Sequence, residues 1–191
     1  MAVAMQVRPL EPAEHQALRA LMLEGHELAA DAFTTTAAER AAEPADWWIR
    51  RIGGAGSLNQ AFGAFDGGQL VGSVSVEYAA KAKTRHQALV VGMYVRPAHR
   101  GRGAGAALIR AVIEHARARP GVRLLTLTVT QGNDAAIRLY ESVGFEAFGV
   151  EPMAIFNGDR YLGKVHMSLL LPQGGGAGAA SPGGTHDDHV A

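Results

Sequence analysis

The chain has no cysteine in its 191 residues. That excludes disulfides, a thiolate metal site and a cysteine nucleophile, and it fits a reducing compartment, so the expected location is the cytoplasm. Any acyl transfer through a thiol must then use the thiol of a second molecule. Excess charge is also lacking, since 18 Lys and Arg balance 18 Asp and Glu. No field draws nucleic acid or an anionic membrane. No apolar run approaches the ~18–20 residues of a membrane-spanning helix. No basic segment followed by an apolar one stands near Met1, so no secretion signal is expected. What the chain does have is apolar content, 48%, which is enough for the core of one domain.

Periodicity orders the elements. Met5 to Leu10 reads as a short strand. Pro12 opens a helix with a stripe at Leu18, Leu21, Met22 and Leu28. Phe33 and Thr34 to Thr36 break it. Ala37 to Ile52 reads as a second helical region, interrupted near Pro44 and carrying Trp47 and Trp48. Ala61 to Phe65 and Leu70 to Tyr78 form a hairpin about Asp66-Gly67-Gly68. Gln87 to Val95 is apolar on both faces, as in a central strand. A helix follows from about Gly105 to Arg117, stopped by Pro120-Gly121. Leu124 to Thr130 alternates as a half-buried strand. Ala136, Leu139, Tyr140 and Val143 follow helical spacing, with Gly144 as the C-terminal glycine. Phe145 to Val150 and Tyr161 to Leu171 form a final strand pair. The domain is read as residues 1–171. From Pro172 the composition turns glycine-rich and core-poor, so 172–191 is expected to be a disordered tail. Its His186 and His189 offer no fixed ligand geometry, and no metal is expected.

The densest chemical signal is Arg100-Gly101-Arg102-Gly103-Ala104-Gly105-Ala106. It joins the central strand to the next helix. A glycine-rich strand-to-helix turn presents backbone N–H groups and the positive end of a helix, which suits phosphate. Arg100 and Arg102 add charge. The loop is not a P-loop, for no Gly-Lys-Ser/Thr closes it. Gly101-x-Gly103-x-x-Ala106 has the degenerate dinucleotide form. But no acidic residue ends the next strand to hold a ribose; Gln131 and Gly132 stand there.

A third reading uses more residues. Arg100-x-x-Gly103-x-Gly105 after Val95-x-Pro97 resembles the acyl-CoA pyrophosphate loop of the GNAT family of N-acetyltransferases. Downstream, Asn133-x-x-Ala136-x-x-Leu139-Tyr140-x-x-x-Gly144-Phe145 is similar to that family's second signature. The resemblance implies an α/β fold with a mixed, mostly antiparallel twisted sheet flanked by helices. It implies acetyl-CoA as cosubstrate and direct transfer of acetyl to a primary amine of a small molecule or protein, through a tetrahedral intermediate. Residues Arg100 to Ala106 would hold the pyrophosphate, and Met93 and Val95 would pair with the pantetheine arm as an added strand. Asn133 and Ala136 would touch the cofactor at the next helix, where Asn133 also suits the N-cap. Tyr140 would protonate the departing thiolate. A thiol of pKa ~8.5 and a phenol of ~10 are close enough for that transfer.

Attack needs a neutral amine, and an alkyl amine of pKa ~10.4 is mostly protonated at pH 7. Glu77, near the end of the hairpin, is the expected base, with His86 as the other candidate. Trp47, Trp48 and Phe33 are candidate walls of the acceptor pocket. The family pattern also implies a homodimer through His166 to Leu171. Two rivals keep part of this pattern: a non-catalytic acyl-CoA-binding or sensing domain on the same fold, and a nucleotide-binding α/β domain.

Overall fold

The computed structural model describes residues 5–172. All of the expected tail but Pro172, with its two histidines, lies outside them. Seven strands make one sheet in the order β1-β2-β3-β4-β5-β7-β6. They are β1 (Gln6–Pro9), β2 (Asn59–Asp66), β3 (Gln69–Tyr78), β4 (Gln87–Val95), β5 (Leu124–Thr130), β6 (Glu146–Phe156) and β7 (Tyr161–Leu170). Only β4 and β5 run parallel; the other neighbours are antiparallel. The helices are α1 (His15–Leu28), α2 (Ala37–Ala41), α3 (Ala45–Ile52), α4 (Ala104–Ala118) and α5 (Asp134–Glu141).

Two apolar cores explain the layering. On one face, α4 buries Leu108, Ile109 and Val112 against Val71, Val74, Val76 and Leu125. On the other, α1 and α3 set Leu18, Leu21, Trp48 and Ile52 against Ala61, Phe65 and Tyr94. Strand alternation divides neighbours between the two cores, Ala61 from Phe62 and Tyr94 from Val95. Each fully buried aliphatic side chain contributes roughly 1.5–3 kcal/mol.

Local signals account for the boundaries. Thr36 caps α2: its hydroxyl accepts from the Glu39 amide at 3.2 Å, and the Glu39 carboxylate accepts from the Thr36 amide at 2.8 Å. So the threonine break also starts the next helix. Pro44 is the N-cap of α3. Two expectations shift. Leu28 is exposed, and Gly25 and His26 take the buried face of the last turn of α1 instead. The final hairpin is longer than expected, with β6 reaching Phe156. His166 to Ser168 are paired on both sides, to β5 and to β6. Those residues are interior to the sheet, and the free edge on that side belongs to β6.

Candidate functional site

The sheet opens at its centre. β4 and β5 pair only at Gln87↔Leu124, Ala88↔Leu125 and Leu89↔Thr126. Both strands continue, to Val95 and Thr130, without pairing to each other. Gly92, at φ 64°, marks a bulge in β4 where the register against β3 slips between Ser73 and Ser75. Past the bulge, the Arg96 amide donates to the Val71 carbonyl on the β3 side. Alternation therefore turns the main-chain groups of Val95, and of Met93 two residues back, into the gap. The Val95 carbonyl accepts from Arg100 Nε at 2.8 Å.

The loop and the next two helices close one end of this gap. Gly101 and Gly103 have φ 72° and 83°, and a Cβ on either would meet nothing within 4 Å. It is the left-handed backbone, not lack of room, that asks for glycine there. Gly105 differs: a Cβ there would come 3.0 Å from the Leu139 side chain of α5. Gly103 is the N-cap of α4, and its carbonyl accepts first from Ala107. The amides of Ala104, Gly105 and Ala106 precede the helical ladder and have no helical acceptor. Asn133 caps α5, its Oδ1 accepting from the Ala136 amide at 3.2 Å.

These parts line one cavity of about 440 Å³. Met93, Val95, Arg100, Gly101, Gly103, Ala104, Gly105, Ala106, Asn133 and Ala136 all border it, with Leu139 and Phe33. A second cavity of about 180 Å³ lies where the gap begins, against Val91 and Gly92 of β4 and Thr128 of β5. Phe33 and Ala32 border both cavities. A wider depression of about 670 Å³ between Asp31 and Arg160 shares Asn133, but no residue from Arg100 to Ala106 lines it.

A gapped central strand pair beside a glycine-capped helix agrees with the wider likeness of the chain. The Acetyltransferase (GNAT) family matches residues 22–145. The chain belongs to the GNAT family of acetyltransferases. The L-methionine sulfoximine/L-methionine sulfone acetyltransferase of Pseudomonas aeruginosa is 38% identical over 79 residues, 41% of this chain and 45% of the relative. The N-alpha-acetyltransferase RimI of Mycobacterium tuberculosis is 38% identical over 93 residues, 48% and 55% of the two chains. This GNAT chain therefore spans about half the length of the curated relatives it matches. In fold it is like yncA of Salmonella typhimurium, solved with its cofactor acetyl-CoA. There the TM-score is 0.73 at 23% identity, covering 93% of this chain and 100% of the other. No helix among the described residues is long and apolar enough to cross a membrane.

Three of the expected GNAT residues stand apart from the main cavity. Arg102 is half-exposed and donates to Asp66 at 3.0 Å, at the tip of the β2–β3 hairpin. His99 joins the same carboxylate at 3.4 Å. Tyr140 is buried on α5, its ring edge-on to Phe145 with centroids 5.8 Å apart. Burial pushes its hydroxyl above the usual phenol range, so it stays protonated at neutral pH. It lies one turn beyond Ala136, which does line the cavity, on the same helix face. The Glu77 carboxylate accepts from Arg51 Nη1 at 3.0 Å and borders neither cavity.

The second cavity joins the expected wall residues Phe33, Trp47 and Trp48 to Arg40, Arg51, His26 and Lys164, which had no assigned role. Arg40 and Arg51 both lie over the ring of Trp47, at 4.4 and 4.9 Å from its centroid. Burial pulls the Arg51 guanidinium below its ordinary range, and Glu77 opposes the shift. His26 stacks on Phe33 at 4.0 Å between centroids. Its Nδ1 sits 2.7 Å from the Met22 carbonyl, and its Nε2 3.1 Å from the Thr35 hydroxyl. Arg40 donates to that same hydroxyl at 3.0 Å. The chain of donors makes Nδ1 the protonated nitrogen, and burial holds His26 below the usual imidazole range. Phe33, Trp47 and Trp48 all line this cavity. The aromatic residues were the signal for it in the sequence; the arginines were not read as part of it.

Proposed function

We propose that the chain is an N-acetyltransferase that moves acetyl from acetyl-CoA to a primary amine. One observation carries this reading: the unpaired reach of β4 and β5 has free helix amides at one end and a separate small cavity at the other. The residues present fit an acyl-CoA. Positive-φ glycines, three free amides and Arg100 suit a pyrophosphate, and the main-chain groups of Met93 and Val95 suit an amide-bearing arm. When bound, acetyl-CoA supplies a thioester with a good thiolate leaving group.

The chain's own residues do the rest. Arg100 is held to the Val95 carbonyl, which fixes its charge at the mouth of the cavity. Arg102 is shared with Asp66 and adds charge at the rim. Asn133 and Ala136 border the inner wall. Tyr140 holds a proton on its hydroxyl for the leaving thiolate. The second cavity holds the acceptor, whose nitrogen enters past Phe33. Glu77 acts on this cavity through Arg51 rather than by touching the amine. The fold-related Salmonella protein, solved with acetyl-CoA, supports the cosubstrate.

The same reading places the protein in the cytoplasm, in keeping with its lack of cysteine. It includes a homodimer through the free edge of β6, where Phe148, Val150, Met153 and Phe156 are exposed. Incubation with acetyl-CoA and a panel of amines tests the activity. The expected result is amine-dependent release of free thiol. Tight coenzyme A binding with no amine-dependent release would overturn it in favour of an acyl-CoA-binding domain.

A further inference from the structure

We infer that the acceptor is a small amine carrying its own carboxylate, the size of a free amino acid, with that carboxylate held by Arg51, Arg40 and Lys164. The inference rests on the acetyl-transfer reading and names its second substrate. Three cationic side chains line the small cavity and no carboxylate does. Arg40 and Arg51 come from the neighbouring helices α2 and α3, and Lys164 from β7, more than a hundred residues on.

The carboxylates near them lie outside the cavity lining, and that of Glu151 is taken by His166 at 3.0 Å. Glu77 holds Arg51 at 3.0 Å, and Glu43 is 4.0 Å from Arg40. Glu151 lies opposite Lys164 across the β6–β7 ladder. None of the three borders the cavity. The remaining polar lining, Thr34, Thr35, Thr128 and His26, brings no negative charge. Lys164 is half-buried and donates weakly to the Thr128 hydroxyl at 3.3 Å. Burial also holds its ammonium below the usual lysine range.

This arrangement selects on charge. A carboxylate gains charge-assisted hydrogen bonds from two guanidinium groups and an ammonium. A polyamine or a lysine-rich segment would bring a second positive charge against three of its own sign. The cations act on the reacting amine as well. Positive charge nearby disfavours the ammonium form, so the neutral nucleophile is favoured without a carboxylate base in the cavity. Size agrees with charge, for about 180 Å³ is well below the ~300–1,000 Å³ of pockets for larger ligands.

The test uses the full chain, acetyl-CoA and matched probes: the common L-amino acids, their amides, and the amines that lack the carboxyl carbon. L-leucine, L-leucinamide and 3-methylbutylamine form one such set. With kcat/KM expressed per neutral amine, at least one acid is expected to exceed its amide and its bare amine by tenfold or more. Arg51→Gln and Lys164→Gln should each cut that acid-to-amide ratio at least tenfold and leave the KM for acetyl-CoA unchanged. If Arg51→Gln fails to fold, the exposed-side change at Lys164 still decides the matter. Equal or faster acetylation of amides or bare amines would overturn the inference and leave the transferase reading intact. Should no probe release thiol, the transferase reading fails. The cavity is then judged by quenching of Trp47 and Trp48, both in its lining, with coenzyme A present. Quenching by acids at concentrations at least tenfold below their amides supports the anion site, and equal or absent quenching overturns it.

Discussion

The two ends of the β4–β5 gap are made of different material. The larger cavity is lined by backbone and small side chains drawn mostly from one stretch, Met93 to Ala106, with one turn of α5. The smaller is lined by long side chains from α1, α2, α3 and β7 over short ones of β4 and β5. The first recognises a feature common to every acyl-CoA, so main-chain amides at a helix start suffice. The second must choose among amines, and choice needs side chains whose charge and length can differ. A backbone site tolerates substitution where φ is ordinary and a side chain has room. A side-chain site changes its preference with each residue.

Four substitutions sharpen this contrast, from the largest effect down. Tyr140→Phe keeps the ring against Phe145 and removes the proton. It should lower kcat by ~10²–10⁴-fold, the range of a positioned acid. Coenzyme A affinity should hold, as measured by calorimetric titration. Full activity in the Phe variant at neutral pH would leave Tyr140 as a core aromatic only.

Gly103→Val strikes the backbone end. A β-branched residue at φ 83° is strained by about 1–3 kcal/mol, so the melting temperature should fall. Coenzyme A binding should weaken at least tenfold, about 1.4 kcal/mol. Unchanged affinity would remove the phosphate role of the loop.

Glu77→Gln tests the side-chain end and separates two roles for one carboxylate. A base would show as an acidic limb in the pH profile of kcat/KM, lost in the variant. A residue that positions Arg51 would instead leave the profile and raise the acceptor KM. The ion pair at 3.0 Å leads us to expect the second outcome, with a several-fold rise. Restoration by Glu77→Asp is not expected, because the shorter side chain cannot span the same gap.

The smallest effect is on stability against pH. Burial lowers both His26 and His115 in the folded protein. The unfolded chain then binds their protons more readily, so stability is complete above the ordinary imidazole value of ~6.5. It declines as pH falls from there toward the lowered folded values. Melting temperatures from pH 8 to pH 5 should show this slope. His26→Gln should flatten part of it, and an unchanged slope would remove His26 from the account.

Much of the backbone end was legible in the chain itself. The glycines, the helix after them and the cap at Asn133 are local features, set by φ preferences and unpaired amides within a few residues. The hairpin about Gly67 and Gly68 and the break at Pro44 were legible for the same reason. Leu28 misled because a helical stripe says which face is apolar but not where the sheet beneath it ends. The edge of the sheet was misplaced because strand order is a long-range property, and β6 and β7 are both apolar enough to sit inside. Arg51 could not be read as part of a cavity. Its neighbour Arg50 has the same charge, and only the docking of α3 on the sheet buries one and leaves the other out.

By itself, then, the sequence determined the elements, the loop between β4 and α4, and the chemistry that loop can hold. These follow from torsional limits and hydrogen-bonding groups that act over a few residues. Only the tertiary structure decided that β4 and β5 part after Leu89, that Arg102 turns to Asp66, and that Arg40, Arg51 and Lys164 share one cavity. Those outcomes depend on apolar faces packing across the sheet, and burial cores of that kind place side chains together without regard to their distance along the chain.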